Sequence, residues 1–480
     1  MKATKFLSLA ALALAFAACS SDDYEMTDQQ PAQGEGIPFS ATISVGNNAF
    51  TRALTESGNT LVATWAVGEK VALVHHNRKD EMTVSEVNDG VATIIGTITG
   101  SPSTGDAVTI YYPFTAAPIT GDEVSTVLGM QDGTLGSIAE KYDVRKGTAT
   151  LKVSGGTATL NGNVSLANQF AIFKFTVRLY DGTTPISTKE LVITADGYTY
   201  SVYSFPPSDV LYVALPAVDG KKIIFDATAD DGKNSTYTCA KLSTTFAAGK
   251  FYQSTLKMRQ YELMGGVKWA VCNIGATNPQ DYGGYYSWGA TATQTTYDWA
   301  NYPFMQAGQS DYNRIIKYTI ADGWYNYGSP IWYSSSAFIG DNGDGVEHKD
   351  LASYSYADDV ARQQWGGTWR MPTEDERQAL KNTDNFTWEW TTNYKGTGVS
   401  GMLVTSKNTD VCGENRQIFL PAAGCYEGSS LTANGLYGYY WTSSLSDYTI
   451  SARYLGFNSS GPGGGQTYRC NGYSVRAVAE

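Results

Sequence analysis

The chain has 480 residues, of which 42% are hydrophobic and only 17% charged, enough apolar matter for real cores and the wrong balance for a long disordered polymer. Lys plus Arg number 34 against 46 Asp plus Glu, a net charge of −12, which excludes a general nucleic-acid binder because a phosphate backbone demands a basic surface. Histidine occurs only at His75, His76 and His348, too few for a zinc centre built from many histidines or for a rich supply of general bases.

Lys2 and Lys5 precede a near-continuous apolar run, Phe6 to Ala18, that ends in small residues before Cys19. About 13 residues fall short of the ~20 that cross a membrane, so residues 1–18 read as a secretory signal. Phe16-Ala17-Ala18-Cys19 resembles the bacterial lipobox, with phenylalanine where leucine is usual. The resemblance implies that Cys19 is acylated, with palmitate-type chains, and becomes the mature terminus. Ser20-Ser21-Asp22-Asp23 resembles the signal that sends lipoproteins of the Bacteroides group to the outer cell surface; the plainer reading is a polar spacer. Residues 19–36 read as a flexible tether. Beyond Cys19 lie Cys239, Cys272, Cys412, Cys425 and Cys470, none at CxxC spacing, so a zinc ribbon or thioredoxin-like site is not indicated and disulfide connectivity stays open.

Residue chemistry changes near position 260: of the 11 tryptophans, only Trp65 precedes it. The first part alternates apolar and polar residues with period two, as in Phe39–Val45, Phe170–Leu179, Val210–Leu215 and Lys222–Ala227, with Gly, Asn and Asp clusters between. That pattern predicts strands with one buried face and two antiparallel β-sandwich subdomains, residues 37–164 and 165–260. Phe50-Thr51-Arg52-Ala53, Trp65–Leu73, Asn168–Phe175 and Ala248-Gly249-Lys250-Phe251-Tyr252, in that order behind a lipobox, resemble the fimbrillin-like lipoproteins of the Bacteroides group. The resemblance implies transthyretin-like sandwiches and a role as pilus shaft, anchor or tip. It also implies assembly by strand exchange, in which a protease cuts after an arginine and an N-terminal strand leaves. Phe39–Val45 is then the candidate leaving strand and Arg52–Ala53 the candidate cut.

Residues 261–480 carry Val267–Ala276, Tyr285-Tyr286-Ser287-Trp288-Gly289, Asp358-Asp359-Val360-Ala361, Trp365–Thr373, Gly438–Ser444 and Gly472–Val478. Together these closely resemble the Fibrobacter succinogenes major paralogous domain. The resemblance implies an α+β, C-type-lectin-like domain, so the whole chain is expected to be mainly β: two sandwiches followed by that domain. Thr373-Glu374-Asp375-Glu376 predicts a helix start, and Asp358–Gln364 a second short helix stopped by Gly366-Gly367.

Two loops stand out as candidate sites. Asp341-Asn342-Gly343-Asp344-Gly345-Val346-Glu347 offers carboxylates and free carbonyls to calcium, with Asp341, Asp344 and Glu347 as candidate ligands, although its spacing is not that of an EF-hand and a solvated turn is the plainer reading. The stretch Gly323–Tyr333 places Trp324, Tyr325, Tyr327, Trp332 and Tyr333 among Gly, Ser and Asn, a composition suited to stacking on sugars or proteins. Gly435-Leu436-Tyr437 is a second surface candidate, whereas Trp269, Trp288, Trp365, Trp369 and Trp441 sit inside the motifs and are expected in the core. No nucleophile motif surrounds the histidines, and no carboxylate pair is singled out for glycoside hydrolysis. No catalytic residue is therefore named, an enzyme is not expected, and calcium is the only candidate cofactor. The expected function is a surface-exposed, lipid-anchored adhesin of the cell outer membrane, a minor subunit at the tip of a fimbrium that partners other fimbrial subunits and a glycan or protein ligand. The alternative is a stand-alone glycan- or peptide-binding lipoprotein, and a hydrolase ranks last.

Overall fold

The computed structural model describes residues 36–45, 55–58, 60–62, 65–116, 128–318, 324–326, 329–331, 350–409, 415–446, 448 and 450–480. Over these the chain is mainly β. The first unit opens with β1 (Ile37–Val45), the hairpin β2 (Thr55–Ser57) and β3 (Thr60–Val62), and then β4 (Lys70–His75), β5 (Arg78–Asn88), β6 (Val91–Ile98) and β7 (Ala107–Tyr112). After β8 (Met130–Gln131), which joins a different sheet, come β9 (Arg145–Ser154), β10 (Thr157–Leu160) and β11 (Val164–Asn168). Pairing runs β1–β11–β9–β7–β4–β5–β6 and returns to β1, with β10 joining β9 and β1. The circuit encloses Phe39, Ile43, Val71, Met82, Ile94 and Ile110.

The second unit contains β12 (Ala171–Leu179), β13 (Thr188–Ala195), β14 (Tyr198–Ser208), β15 (Val210–Leu215), β16 (Val218–Ala229), β17 (Thr236–Phe246) and β18 (Phe251–Met264), in the order β15–β12–β18–β17–β16–β13–β14–β8. Phe173, Phe175, Phe225 and Phe246 meet in its core, face to face or edge to face. Leu61, Leu128, Ile138 and Tyr142, all earlier in the chain, complete it. The period-two pattern runs on through position 164, so β11 spans the expected 164/165 boundary and belongs to the first sheet. The join between the units is a buried polar knot. Asp143 Oδ1 accepts from Arg145 Nε (3.0 Å) and from Asn168 Nδ2 (2.8 Å), and Asn168 Oδ1 accepts from the Phe170 amide (2.8 Å). Asn168 thus links the last strand of one unit to the first of the next.

β18 also runs through the expected boundary at 260. Its first half pairs in parallel with β12, and its second half pairs with β17 and then with β19 (Val267–Ala270). Gly265 and Gly266 turn that hairpin at φ +60° and +84°, the left-handed pair that a two-residue connection between twisted strands needs. Beyond β19 lie the hairpin β20 (Trp324–Asn326) and β21 (Ser329–Ile331), then β22 (Phe386–Thr391), β23 (Gly401–Thr409) and β24 (Asn415–Pro421), the hairpin β25 (Cys425–Glu427) and β26 (Ser430–Thr432), and β27 (Tyr437–Leu445), β28 (Ser451–Asn458) and β29 (Gly461–Tyr468). The last strand, β30 (Val478–Ala479), pairs with β19. Helix Val360–Trp365 is capped by Asp359, which accepts from the amides of Ala361 and Arg362, and helix Glu374–Lys381 carries a capping box between Thr373 and Glu376. Both helices lie where the sequence signals placed them. Trp269, Trp288, Trp369 and Trp441 are buried.

Cations help to fasten the C-terminal unit to the second. The Arg259 guanidinium lies 4.2 Å from the ring centre of Tyr180 and 4.1 Å from that of Trp365. Burial lowers its pKa to about 10, so it stays charged at neutral pH. Lys268 pairs with Asp226 at 2.8 Å and Arg416 with Glu262 at 3.3 Å across the same junction. A partly desolvated cation–π contact contributes about 0.5–2 kcal/mol. Arg259→Ala is therefore expected to lower stability by about 1–3 kcal/mol from its two ring contacts, read from denaturant unfolding followed by tryptophan fluorescence. An unchanged midpoint would show that the β18–β19 ladder alone carries the junction.

Candidate functional site

β1 fills a slot lined on both sides by backbone. Ile37 through Ser44 pair antiparallel with Ile98 through Val91 of β6. On the other edge Phe39 faces Ala158 of β10, and Ile43, Ser44 and Val45 face Val164, Ser165 and Leu166 of β11, all in parallel. Phe39 and Ile43 point into the core and are buried, while Ser40 and Thr42 face out. The chain enters the slot at Gly36, where a Cβ would lie 2.4 Å from Thr97 Cγ2 and 2.7 Å from the Ile98 carbonyl oxygen, so only glycine fits without a shift. Burying a Phe or Ile side chain stabilises by about 1.5–3 kcal/mol each. Without β1, β6 and β11 would present unpaired amides and carbonyls beside an apolar furrow, a surface that another strand could satisfy.

The hairpin that follows is held by the second unit, not the first. Glu56 accepts from Lys174 Nζ at 2.7 Å, from the Tyr212 hydroxyl at 2.7 Å and from Gln253 Nε2 at 3.2 Å, and Gln253 also donates to the Gly58 carbonyl at 2.8 Å. The Lys174 ammonium, followed by the Tyr212 hydroxyl, holds the Glu56 carboxyl below its ordinary 4.5. Residues 46–54 therefore connect a strand committed to the first unit with a hairpin committed to the second. Sequence reading did not find Glu56, because its partners lie 118, 156 and 197 residues further on and leave no local pattern.

Cys19, Arg52, Ala53, Tyr327, Trp332, Tyr333, Asp341, Asp344 and Glu347 lie outside the described residues. Trp324 and Tyr325 lie on β20, paired with Ile331 and Pro330 of β21. The second surface candidate is well placed: Leu436 is 63% exposed and Tyr437 40%. Tyr286 and Trp288 are buried, and the partly buried Tyr285 donates its hydroxyl to the Ala423 carbonyl at 2.6 Å, a structural use. Cys239, Cys272, Cys425 and Cys470 are free thiols. Among the described residues no helix is long and apolar enough to cross a membrane.

No family model matches the chain, and no curated protein matches it. Among solved structures, a fimbrial assembly protein from Parabacteroides distasonis ATCC 8503 is similar at 10% identity over 49% of this chain and 96% of that one, with a TM-score of 0.29. A fimbrial protein from Bacteroides ovatus ATCC 8483 is similar at 12% identity over 93% of this chain and 99% of that one, with a TM-score of 0.23.

Two outcomes test the slot and the hairpin. Ile43→Ala removes buried methylenes from the inserted strand and should destabilise the protein by about 2–5 kcal/mol, the usual cost of such a cavity; a near-neutral change in denaturant unfolding would show that β1 is not integral. Glu56 has a lowered folded pKa, so its contribution is fully present above pH 4.5 and is lost as pH falls through the lower folded value. Protection of the peptide spanning residues 55–62 from hydrogen exchange, taken relative to the intrinsic rate at each pH, should fall in that acidic window, and Glu56→Gln should flatten the response.

Proposed function

We propose that the chain is a surface-exposed lipoprotein adhesin that takes its place at the tip of a fimbrium, accepting a strand from a neighbouring subunit without donating one. The observation that carries this reading is the commitment of β18. A donor needs a strand free to leave, yet the 14 residues of β18 are paired with β12, β17 and β19 along their length, and the C-terminal unit is built onto their far end. Acceptance is supported by β1, a single N-terminal strand whose removal opens one continuous slot. A cut between Arg52 and Ala53 would release β1 from its downstream tether, while Glu56 keeps the hairpin beyond it docked on the second unit. Acylation of Cys19 would anchor the precursor in the outer membrane.

The C-terminal unit is the candidate ligand-bearing part, with a transthyretin-like pair of sandwiches beneath a C-type-lectin-like head as the sequence resemblance implies. Exposed Leu436 and Tyr437, on the same unit as the hairpin of Trp324 and Tyr325, suit stacking on a sugar or packing on a protein loop. A stand-alone ligand-binding lipoprotein is the second reading, and the observation favouring it is that β1 is paired on both edges, as a permanent strand would be.

Immunogold labelling of purified pili separates the two. Gold at fibre ends, lost in the Arg52→Ala variant, supports the tip subunit; gold along the shaft overturns it, and gold on cells without pili selects the second reading. On a glycan and matrix-protein array, the full chain with Leu436→Ala and Tyr437→Ala should lose about 1–3 kcal/mol of binding to whatever the parent chain captures, the range of a recognition hot spot. Unchanged capture would move the ligand surface elsewhere.

A further inference from the structure

Two of the three histidines in the chain are adjacent, and the fold brings both to one carboxylate. His75 ends β4, a strand paired on either side with β5 and β7. Its ring is buried and lies against that of His76, the centroids 3.9 Å apart and the planes inclined by 35°. Both Nε2 atoms face Asp106: His75 Nε2 is 3.0 Å from Oδ2 and His76 Nε2 is 4.0 Å from Oδ1. One ligand atom from each of the three residues lies within 4.8 Å of the others.

From this geometry we infer that His75, His76 and Asp106 form a site for a divalent ion of the borderline transition metals, zinc above all. Two imidazoles and a carboxylate are the donor set of zinc, nickel or copper, whereas calcium and magnesium prefer all-oxygen shells. A four-coordinate ion with bonds of about 2.0–2.1 Å keeps its ligand atoms about 3.3 Å apart. The His75–Asp106 separation is close to that, and a small swing of the His76 ring closes the rest. The side chain of His76 is 61% exposed, so it can swing and the remaining position can hold water, while that of Asp106 is 21% exposed.

The surroundings are built for placement. His76 and Asn77 form the two-residue turn between β4 and β5, with φ of +44° and +62°. Asparagine and histidine are both among the residues that enter that left-handed region most readily, and here the turn carries the second imidazole beside the first. Asp106 Oδ2 accepts the Ser103 amide at 2.7 Å, and the Asp106 carbonyl accepts the Leu151 amide at 2.9 Å, which fixes the carboxylate against β9. The Nδ1 of His75 is buried with no hydrogen-bond partner, so the ring has its polar engagement on the side facing Asp106. Such a site needs only two of the three histidines and one carboxylate.

The test is calorimetric titration of the full, tag-free chain with Zn²⁺. One ion per chain is expected, with affinity falling at least tenfold in His76→Asn, which keeps a residue suited to the turn, and at least tenfold in Asp106→Asn, which keeps an acceptor for Ser103. Both variants should keep the melting temperature of the metal-free parent, and His348→Ala should bind as the parent does. Cu²⁺ bound to the parent should show hyperfine splitting from two imidazole nitrogens. Absence of stoichiometric binding, equal binding by both variants, or loss in His348→Ala would each overturn the site and leave His75 and Asp106 as an ordinary hydrogen-bonded pair.

Discussion

The arrangement of the second and C-terminal units depends on β18, a single strand that feeds three cores. Leu256 and Met258 pack into the second unit, Tyr261 into the main C-terminal core, and Met264 into the cluster around Trp269 and Leu380. The spacing 256, 258, 261, 264 breaks strict alternation just where the strand passes from β12 to β17 and β19. Arg259 lies at the break, and the two rings its guanidinium meets come from different units. A load on the C-terminal unit is thus borne by a hydrogen-bonded ladder and a cation held between rings, not by a loose linker.

The N-terminal end uses the opposite device. Its first strand is the closing member of a circuit, yet the hairpin that follows belongs to the other unit through Glu56 and Leu61. Strand and hairpin are thus held by different units, β1 by β6, β10 and β11, the hairpin by Lys174, Tyr212 and Gln253.

How much of this could be read in the sequence follows from the range of the interactions. Period-two alternation marked β1, β12, β15 and much of β16, because a half-buried strand writes its face into every second residue. The two short helices were legible from Thr373 with the acids after it and from the run Asp358–Gln364 stopped by Gly366-Gly367, since such start and stop signals act within three or four residues. What could not be read is set by contacts between residues tens to nearly two hundred positions apart: the slot closed by β6 and β11, the grip of Lys174, Tyr212 and Gln253 on Glu56, and the two ring contacts of Arg259. His75 and His76 were visible as a pair, but Asp106, 31 residues beyond His75, joins them only through the β6–β7 connection. The change in aromatic content near residue 260 was real in composition, yet the strand that spans it does not stop there.

The aromatic wealth of the C-terminal unit has a use that comes before any ligand. A loop-rich unit must satisfy the buried carbonyls that sheets would otherwise pair. Here side chains do it: Arg476 donates to the carbonyls of Ala270, Val271 and Phe419, and Arg469 to those of Lys317 and Tyr318. Tyr297, Tyr302 and Tyr440 donate to the carbonyls of Tyr285, Trp288 and Pro421, and Trp288 and Trp441 to those of Thr442 and Tyr286. An aromatic that ends on a buried carbonyl is a brace, and its count says nothing about recognition. Tyr437, like Tyr468 on β29, is different: it remains open to solvent, beside the exposed Leu436, while Gly438, Tyr440 and Trp441 further along β27 are buried. Exposure after the braces are accounted for, rather than aromatic content as such, is what selects that surface.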